Sequence, residues 1–272
     1  MESLEAELER ARGLDAAELA DAIESIGFEC TRCGACCKAV EGCGDDTEAA
    51  TNDTETATND TETATNDTEA ATNDTEAATN DGDADGHDHV ATVFPDEIRR
   101  LQNSGAGEQS YDWRDVARPM PYGLTEGESG PEGETFEWSL ATDDCGDCTF
   151  YAEDEAADDN GGRCTVHGDR PLVCRTYPFS VALGGTSQPM GEAVDEEGMV
   201  RAHECEGLGR DISRAEAEDL AGALKERAVR ELEEAIAVRD TYTSVQTGPG
   251  EVVVHDSEGA KRPDGAPVDD AS

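Results

Sequence analysis

Four cysteines within eight residues, Cys30, Cys33, Cys36 and Cys37, constrain this chain more than any other feature of it. They matter because of what the chain lacks. Leu, Ile, Val and Phe make up only 39 of its 272 residues, a share at which highly charged chains commonly fail to bury enough apolar surface to fold. Domains with thin cores recruit disulfides or metals in compensation, and this one has ten cysteines to offer.

Cys30, Cys33 and Cys36 are spaced as in ferredoxin-type sites, where three thiolates around one turn of backbone join a fourth, remote cysteine. Cys37 adds a constraint. Adjacent side chains diverge, which argues against Cys36 and Cys37 filling two corners of one mononuclear tetrahedral site and favours two sites or one polynuclear cluster. Downstream, Cys145, Cys148, Cys164, Cys174 and Cys205 are sufficient in number to complete such sites.

The compartment bears on how these thiols are read. The start, MESLEAELERAR, carries charge from its second residue and no apolar stretch, so it does not resemble a secretory signal, and no segment is long and apolar enough to span a bilayer. A cytoplasmic location is the expectation. There, cysteines serve as ligands or catalysts more often than as structural disulfides.

The formal charge of -45 should oppose compaction in dilute buffer. At about 1 M salt the Debye length falls to roughly 3 Å and the repulsion is screened. Only Lys38, Lys225 and Lys261 are lysines among twenty cations, and with abundant Asp, Glu and Ala the composition resembles that of proteins from extreme halophiles. Such acidity speaks against nucleic acid or an anionic membrane as partner.

Along the chain, four segments are expected. Residues 1–44 hold two short helices and the first cysteine cluster. Asp15 and Glu18 open the second helix, Gly27 closes it, and Leu19, Ile23 and Ile26 form a face that packs behind the cluster. Residues 45–89 form a disordered acidic insert that repeats ATNDTET and ATNDTEA. A coiled-coil seam is excluded because every repeat position is Ala, Thr, Asn, Asp or Glu. The glycosylation-like triplets at Asn52, Asn59, Asn66 and Asn73 carry no meaning without export.

Residues 90–240 complete the domain. Pro95 starts a helix with Ile98 and Leu101 on one face; 102–134 is irregular; short strands fall at Thr135–Leu140, Cys148–Tyr151 and Cys164–His167. A final helix from Ile212 to Arg239 is opened by a capping box of Ser213 and Glu216, and buries Ala217, Leu220, Ala221, Leu224, Ala228, Leu232, Ala235 and Ile236. Residues 241–272 are expected to be a disordered tail. The fold class is therefore a small, irregular α+β domain, cysteine-rich and metal-stabilised, with flanking helices.

The cysteine motifs read CTRCGACC, CGDCTFY, GRCTVHGDRPLVCRTYPF and HECEGLG. With these the chain resembles the YkgJ-type cysteine-cluster family, a zinc- or iron-chelating domain with the CxxCxxCC signature, often labelled an iron-sulfur protein. The resemblance runs from Phe28 to Gly209 apart from the insert. It rests on CxxCxxCC and on Cys164, Arg170, Pro171, Cys174, Arg175, Pro178 and Phe179, which resemble the family pattern C-x-x-Y-x-x-RP-x-x-CR-x-x-P. His167 stands where the family has tyrosine, and the insert after Cys43 is a departure.

The resemblance implies metal ligation by Cys30, Cys33, Cys36, Cys37, Cys148, Cys164, Cys174 and Cys205, enough thiolates for two four-cysteine sites. Cys43 and Cys145 fit the pattern less well and read as spare thiols, reserve ligands or redox partners. Arg170 and Arg175 are candidates for cofactor contacts, either donating to cluster sulfurs or binding an anionic substrate, against the plainer reading of bridges to carboxylates. Pro171 should start, and Pro178 end, a short helix that sets where Cys174 points. His167 and His203 could replace a thiolate but read better as supporting groups, while His87 and His89 lie in the acidic stretch.

The cofactor expected is an iron-sulfur cluster or iron, with zinc as the alternative. The function expected is metal binding with a redox or electron-transfer role toward a redox or client protein. The alternatives are a zinc-dependent structural or regulatory module, a metal carrier, or an iron-sulfur-dependent methyltransferase, since the wider group resembles flagellin lysine N-methylases. No phosphate loop, dinucleotide fingerprint or Ser-His-Asp arrangement is present, and no catalytic residue is assigned.

Overall fold

The computed structural model describes residues 3–39, 90–104, 111–153, 162–183, 193–195 and 198–268. The acidic repeats expected at 45–89, with His87 and His89, lie outside the described residues. In chain order the elements are α1 (Leu4–Gly13), α2 (Ala16–Ile26), β1 (Thr92–Val93), α3 (Pro95–Gln102), α4 (Trp113–Val116), β2 (Ala117–Pro119), β3 (Thr125–Gly127), β4 (Gly130–Phe136) and β5 (Trp138–Leu140). There follow β6 (Tyr151–Glu153), β7 (Gly162–Cys164), α5 (Leu172–Thr176), β8 (Phe179–Val181), β9 (Ala193–Asp195), β10 (Val200–His203), α6 (Arg214–Thr241), β11 (Val252–Asp256) and β12 (Gly259–Lys261). The expected mixed α+β class with flanking helices is what the chain forms, built on several small sheets.

Two cores share the scarce apolar residues. The first is helical. Ser213 caps α6 by accepting from the Glu216 amide while the Glu216 carboxylate accepts from Ser213 N, and Asp15 caps α2 by accepting from Ala17 N. The α6 stripe of Ala217, Ala221, Leu224, Ala228 and Leu232 packs on Leu19, Ala20 and Ile23 of α2, and on Leu8 and Ala11 of α1. Alanine at three of those five positions lets the helices approach closely, which suits a chain short of bulky side chains. The sheet of β8, β10 and β9 closes this core, and Phe28 meets Phe179 edge-on at 5.6 Å. The chain is therefore already packed at Phe28, two residues before Cys30.

The second core is mostly sheet. Strand β5 lies between β1 and β2, and a four-stranded sheet runs β12, β11, β4, β3. Trp138, Ile98, Leu101, Val116 and Leu140 fill the interior with Phe150 and, at its edge, Cys148. Pro95 starts α3 and turns Ile98 and Leu101 inward, as its position in the sequence implies.

Three expectations need correction. The segment 102–134 is not irregular throughout: α4, β2, β3 and most of β4 lie in it, because each short strand finds a partner elsewhere in sequence. Nor do residues 241–272 form a free tail as far as they are described. Val252, Val253 and Val254 are buried in β11, which runs parallel to β4 with Val253 opposite Glu134. Asp256 at its end is almost fully buried, accepts from Trp138 Nε1 at 2.8 Å and pairs with Lys261 Nζ at 2.8 Å. The strands expected near the cysteines also shift. Residues 135–140 divide between β4 and β5 at Glu137, whose φ of 91° breaks the strand, and β6 and β7 begin and end at Tyr151 and Cys164.

Candidate metal centre

The cysteines are brought together by short backbone links between distant segments. Gly34, in the left-handed region at φ 79°, turns the chain so that Ala35–Cys37 form one 3-10 turn closed by Cys37 N donating to Gly34 O. Cys37 O then accepts from Cys148 N at 2.8 Å, and Arg32 O accepts from Gly162 N at 3.1 Å. These two bonds lay the CxxCxxCC loop across the β6–β7 hairpin, where Tyr151 is opposite Cys164. A methyl group on Gly34 or on Gly162 would collide with the Tyr151 ring, so both glycines are required for this close approach. On the other side, Glu29 N donates to Gly207 O at 3.0 Å, which brings Cys205 to Cys30.

Cys174 is placed by α5. Pro171 precedes the helix and Pro178 follows it, as expected. Two buried charges that nothing in the sequence singled out hold its ends. Glu97, 1 % exposed, accepts from Leu172 N at 3.0 Å through one oxygen and from Phe94 N at 3.3 Å through the other. At the far end Arg227, also 1 % exposed, donates to Thr176 Oγ1 at 3.1 Å and pairs with Glu231 at 2.6 Å. Burial pushes the Glu97 carboxyl up while the two amides and nearby arginines oppose it. A carboxyl group kept there against that cost is a positioning device for the Cys174 helix. Glu97→Ala should strand the Leu172 and Phe94 amides, lower stability by about 1–3 kcal/mol and increase the rate at which a chelator strips bound metal. An unchanged melting midpoint and stripping rate would show that α5 is held by other means.

Among the described residues eight cysteines are free thiols: Cys30, Cys33, Cys36, Cys37, Cys148, Cys164, Cys174 and Cys205. They are the eight that the family pattern implies. Cys145 is disulfide-bonded, which settles one of the two extra cysteines against the expectation of a spare thiol; Cys43 lies outside the described residues. Six of the eight, Cys30, Cys36, Cys37, Cys148, Cys164 and Cys174, line one cavity of about 730 Å³. Among the described residues no three Cys, His, Asp or Glu side chains, as placed, close on a single point. The thiols are distributed around the cavity wall.

Electrostatic contacts sort them into neighbourhoods. The Cys37 thiol is pushed up first by its hydrogen bond to Cys36 and by burial, then by the charges of Cys36, Cys148 and Cys174. Burial pushes Cys148 up to about 11, with Cys164 and Cys36 adding to it. Cys174 goes up strongly for the same reason, next to Cys148, Cys36 and Cys164. Cys205 is raised by burial and then by Cys33, Cys36 and Cys30. One neighbourhood is thus Cys37, Cys148, Cys164 and Cys174, the other Cys30, Cys33 and Cys205, and Cys36 stands between them. Cys36 is brought down, to about 7, by its hydrogen bond with Cys37 and, last, by the charge of Arg170.

The divergence expected of Cys36 and Cys37 is smaller than their adjacency suggested. Their sulfurs lie 3.9 Å apart. A tetrahedron with metal–sulfur bonds of about 2.3 Å has an edge of about 3.8 Å, so the 3-10 turn lets two successive thiols approach one metal. The donor set fits a thiolate-bound metal in its chemistry, since soft sulfur ligands are those that zinc and iron-sulfur centres take.

Of the other candidates, Arg170 lines the cavity and its Nε donates to His167 O at 3.2 Å, whereas Arg175 is exposed and outside the lining. Among the described residues neither is bridged to a carboxylate. His167 lines the cavity too, while His203 is buried below the site, with its Nε2 at 2.8 Å from Ser180 Oγ. No helix among the described residues is long and apolar enough to cross a membrane.

No curated protein and no solved structure matches this chain. A family model does: the one described as "CxxCxxCC: Putative zinc- or iron-chelating domain" aligns with residues 29–206. That span is more than half of the chain and runs from just before Cys30 to just past Cys205, enclosing every segment that supplies a thiol to the cavity. The chain belongs to the CxxCxxCC family of zinc- or iron-chelating domains.

Proposed function

We propose that the eight free cysteines hold metal as two four-thiolate sites or one joined centre, and that the metal is an iron-sulfur cluster. The observation that carries this is the gathering of six thiols from four separate segments of the chain around a cavity next to a thin core, with Cys205 brought beside the first segment by the Glu29–Gly207 bond. Sulfurs spread over the wall of a cavity suit a polynuclear cluster, in which each thiolate meets its own iron. Cys37, Cys148, Cys164 and Cys174 are one set, and Cys30, Cys33, Cys36 and Cys205 the other. Such a cluster supplies one-electron transfer. The protein's part is to exclude water with Phe150 and Tyr151, to hold the thiols against their tendency to protonate, and to place Arg170 beside them.

A second reading, zinc in a structural or regulatory module, is favoured by the 3.9 Å separation of the Cys36 and Cys37 sulfurs. The two are separated by isolating the protein without oxygen and measuring iron, zinc, acid-labile sulfide and visible absorption. Iron and sulfide in comparable amounts, with a brown protein, are expected. Stoichiometric zinc in a colourless protein would replace the first reading with the second, and a well-folded protein without any metal would overturn both.

A further inference from the structure

The two sets of thiols differ in what packs against them. Cys148 lies in the second core at 6 % exposed, and Cys37, Cys164 and Cys174 are half-buried against the same core. Cys33 and Cys205 are half-buried but pack on neither core, and Cys30 and Cys36 are exposed. Packing therefore yields the same grouping as the thiol charges do, from an independent property. It also places Cys36, which those charges leave between the sets, with the outer four.

The backbone differs in the same sense. Among the inner four, Cys164 ends β7, Cys174 lies within α5, and Cys148 is bonded through its amide to Cys37 O. Cys30 and Cys33 fall between α2 and the 3-10 turn in a stretch with neither helix nor strand, and Cys205 follows β10 in a similar one. These outer loops are held at their flanks. Glu29 N donates to Gly207 O and Gly209 N to Gly27 O, each at 3.0 Å, while Gly207 N donates to Cys205 Sγ at 3.4 Å. Tyr177 Oη donates to Glu204 O beside them. Loops tied in this way keep their place but open at a lower free energy than a packed core. A thiolate within reach of solvent also exchanges partners where a buried one is inert.

We propose that the outer four, Cys30, Cys33, Cys36 and Cys205, form an exchanging site that hands its metal to the cysteines of an acceptor protein, while Cys37, Cys148, Cys164 and Cys174 keep theirs as part of the fold. The transfer is a ligand substitution. Each bond from the metal to an outer sulfur is replaced by one to an acceptor thiol, whose proton passes to the thiolate released. No electron moves, so the step needs neither oxidant nor reductant, and it is the same for a single ion or a whole cluster. The inference rests on the two-site form of the metal reading and deepens it, since it separates a resident metal from a cargo and names the chemistry of the partner that takes the cargo.

The test uses the full chain, isolated without oxygen and loaded with the metal it is found to hold, at high constant salt, with a synthetic peptide carrying two CxxC pairs as acceptor. Metal should leave in two phases. The first should pass to the peptide at a rate that rises in proportion to peptide concentration, and the second should be slower by about tenfold or more, as expected between an exposed loop and a packed core. Iodoacetamide added between the phases should mark Cys30, Cys33, Cys36 and Cys205 and spare Cys37, Cys148, Cys164 and Cys174. The melting curve of the protein at that stage should stay close to that of the fully loaded one, and Cys30→Ser should remove the fast phase alone. A single phase, marking of both sets together, a fast phase indifferent to peptide concentration, or a Cys30→Ser chain that unfolds would overturn the proposal and leave the metal reading intact. A chain isolated metal-free and well folded would overturn that reading, and the proposal with it.

Discussion

Cys148→Ser is expected, on the proposed ligation by Cys37, Cys148, Cys164 and Cys174, to strip metal from that set and to unfold the second core with it. Cys148 is buried among Trp138, Leu140 and Phe150, and its amide carries the bond to Cys37 O that joins the CxxCxxCC loop to the rest of the domain. A structural metal can contribute about 10–16 kcal/mol of apparent binding energy, against a whole-domain stability of about 5–15 kcal/mol. Losing it therefore removes most of what holds so thin a core. Serine matches cysteine in shape but is a poor ligand for soft metals, so the packing change is minor and the effect reports ligation. Cys205→Ser should lower metal content by the share of the other set and leave the first in place. Metal analysis with thermal melts of both variants checks this. Equal metal content and a melting curve like the parent's in Cys148→Ser would remove metal from the account of folding; identical losses in both variants would mean one joined centre instead of two.

Which parts of this arrangement could be read beforehand follows from how local each one is. The CxxCxxCC run, the Ser213–Glu216 capping box, the Asp15 cap and Pro95 at the start of α3 are each decided within a few residues, and each stands where its sequence places it. The eight thiols were legible as a set through the family pattern, but their neighbourhoods were not. Those depend on two backbone bonds, Cys148 N to Cys37 O and Gly162 N to Arg32 O, between segments with no sequence signal for each other.

Charged residues misled in the other direction. Glu97 and Arg227 look like members of the solvated faces of α3 and α6, since helical periodicity marks apolar stripes and treats a charge as exposed. Both are buried because α5 needs partners for its ends, a demand created only by the tertiary structure. Arg170 and Arg175 flank the same cysteine and were equivalent on paper. The turn before Pro171 sends Arg170 to the cavity, and the helix leaves Arg175 in solvent. Strand β11 was overlooked because VVVH is short and sits among Gly, Pro and acidic residues, while its partner β4 is far away in sequence. Parallel pairing of that kind leaves no local pattern.

A chain ended at Thr241 should therefore fail to fold, and not simply lose a mobile tail. It would keep α6 entire but lack β11 and β12. Val252, Val253 and Val254 are each less than a tenth exposed, and burying a valine side chain contributes about 1.5–3 kcal/mol. Trp138 Nε1, fully buried, would lose its acceptor Asp256, and β4 would be left with β3 alone on one edge. An unsatisfied buried donor costs about 1–3 kcal/mol more. Together these terms match the stability of a typical domain, and the second core they unmake is the one that seats Cys148 and α5. The milder variant Asp256→Ala isolates the electrostatic part: it leaves Lys261, 6 % exposed, without its buried carboxylate partner, a change that costs about 3–5 kcal/mol when a buried pair is broken, here moderated by Glu258 at 2.7 Å. Circular dichroism melts and metal analysis of both proteins decide the matter. A truncated chain that melts like the parent and keeps its metal would mean that β11 merely covers a domain complete without it.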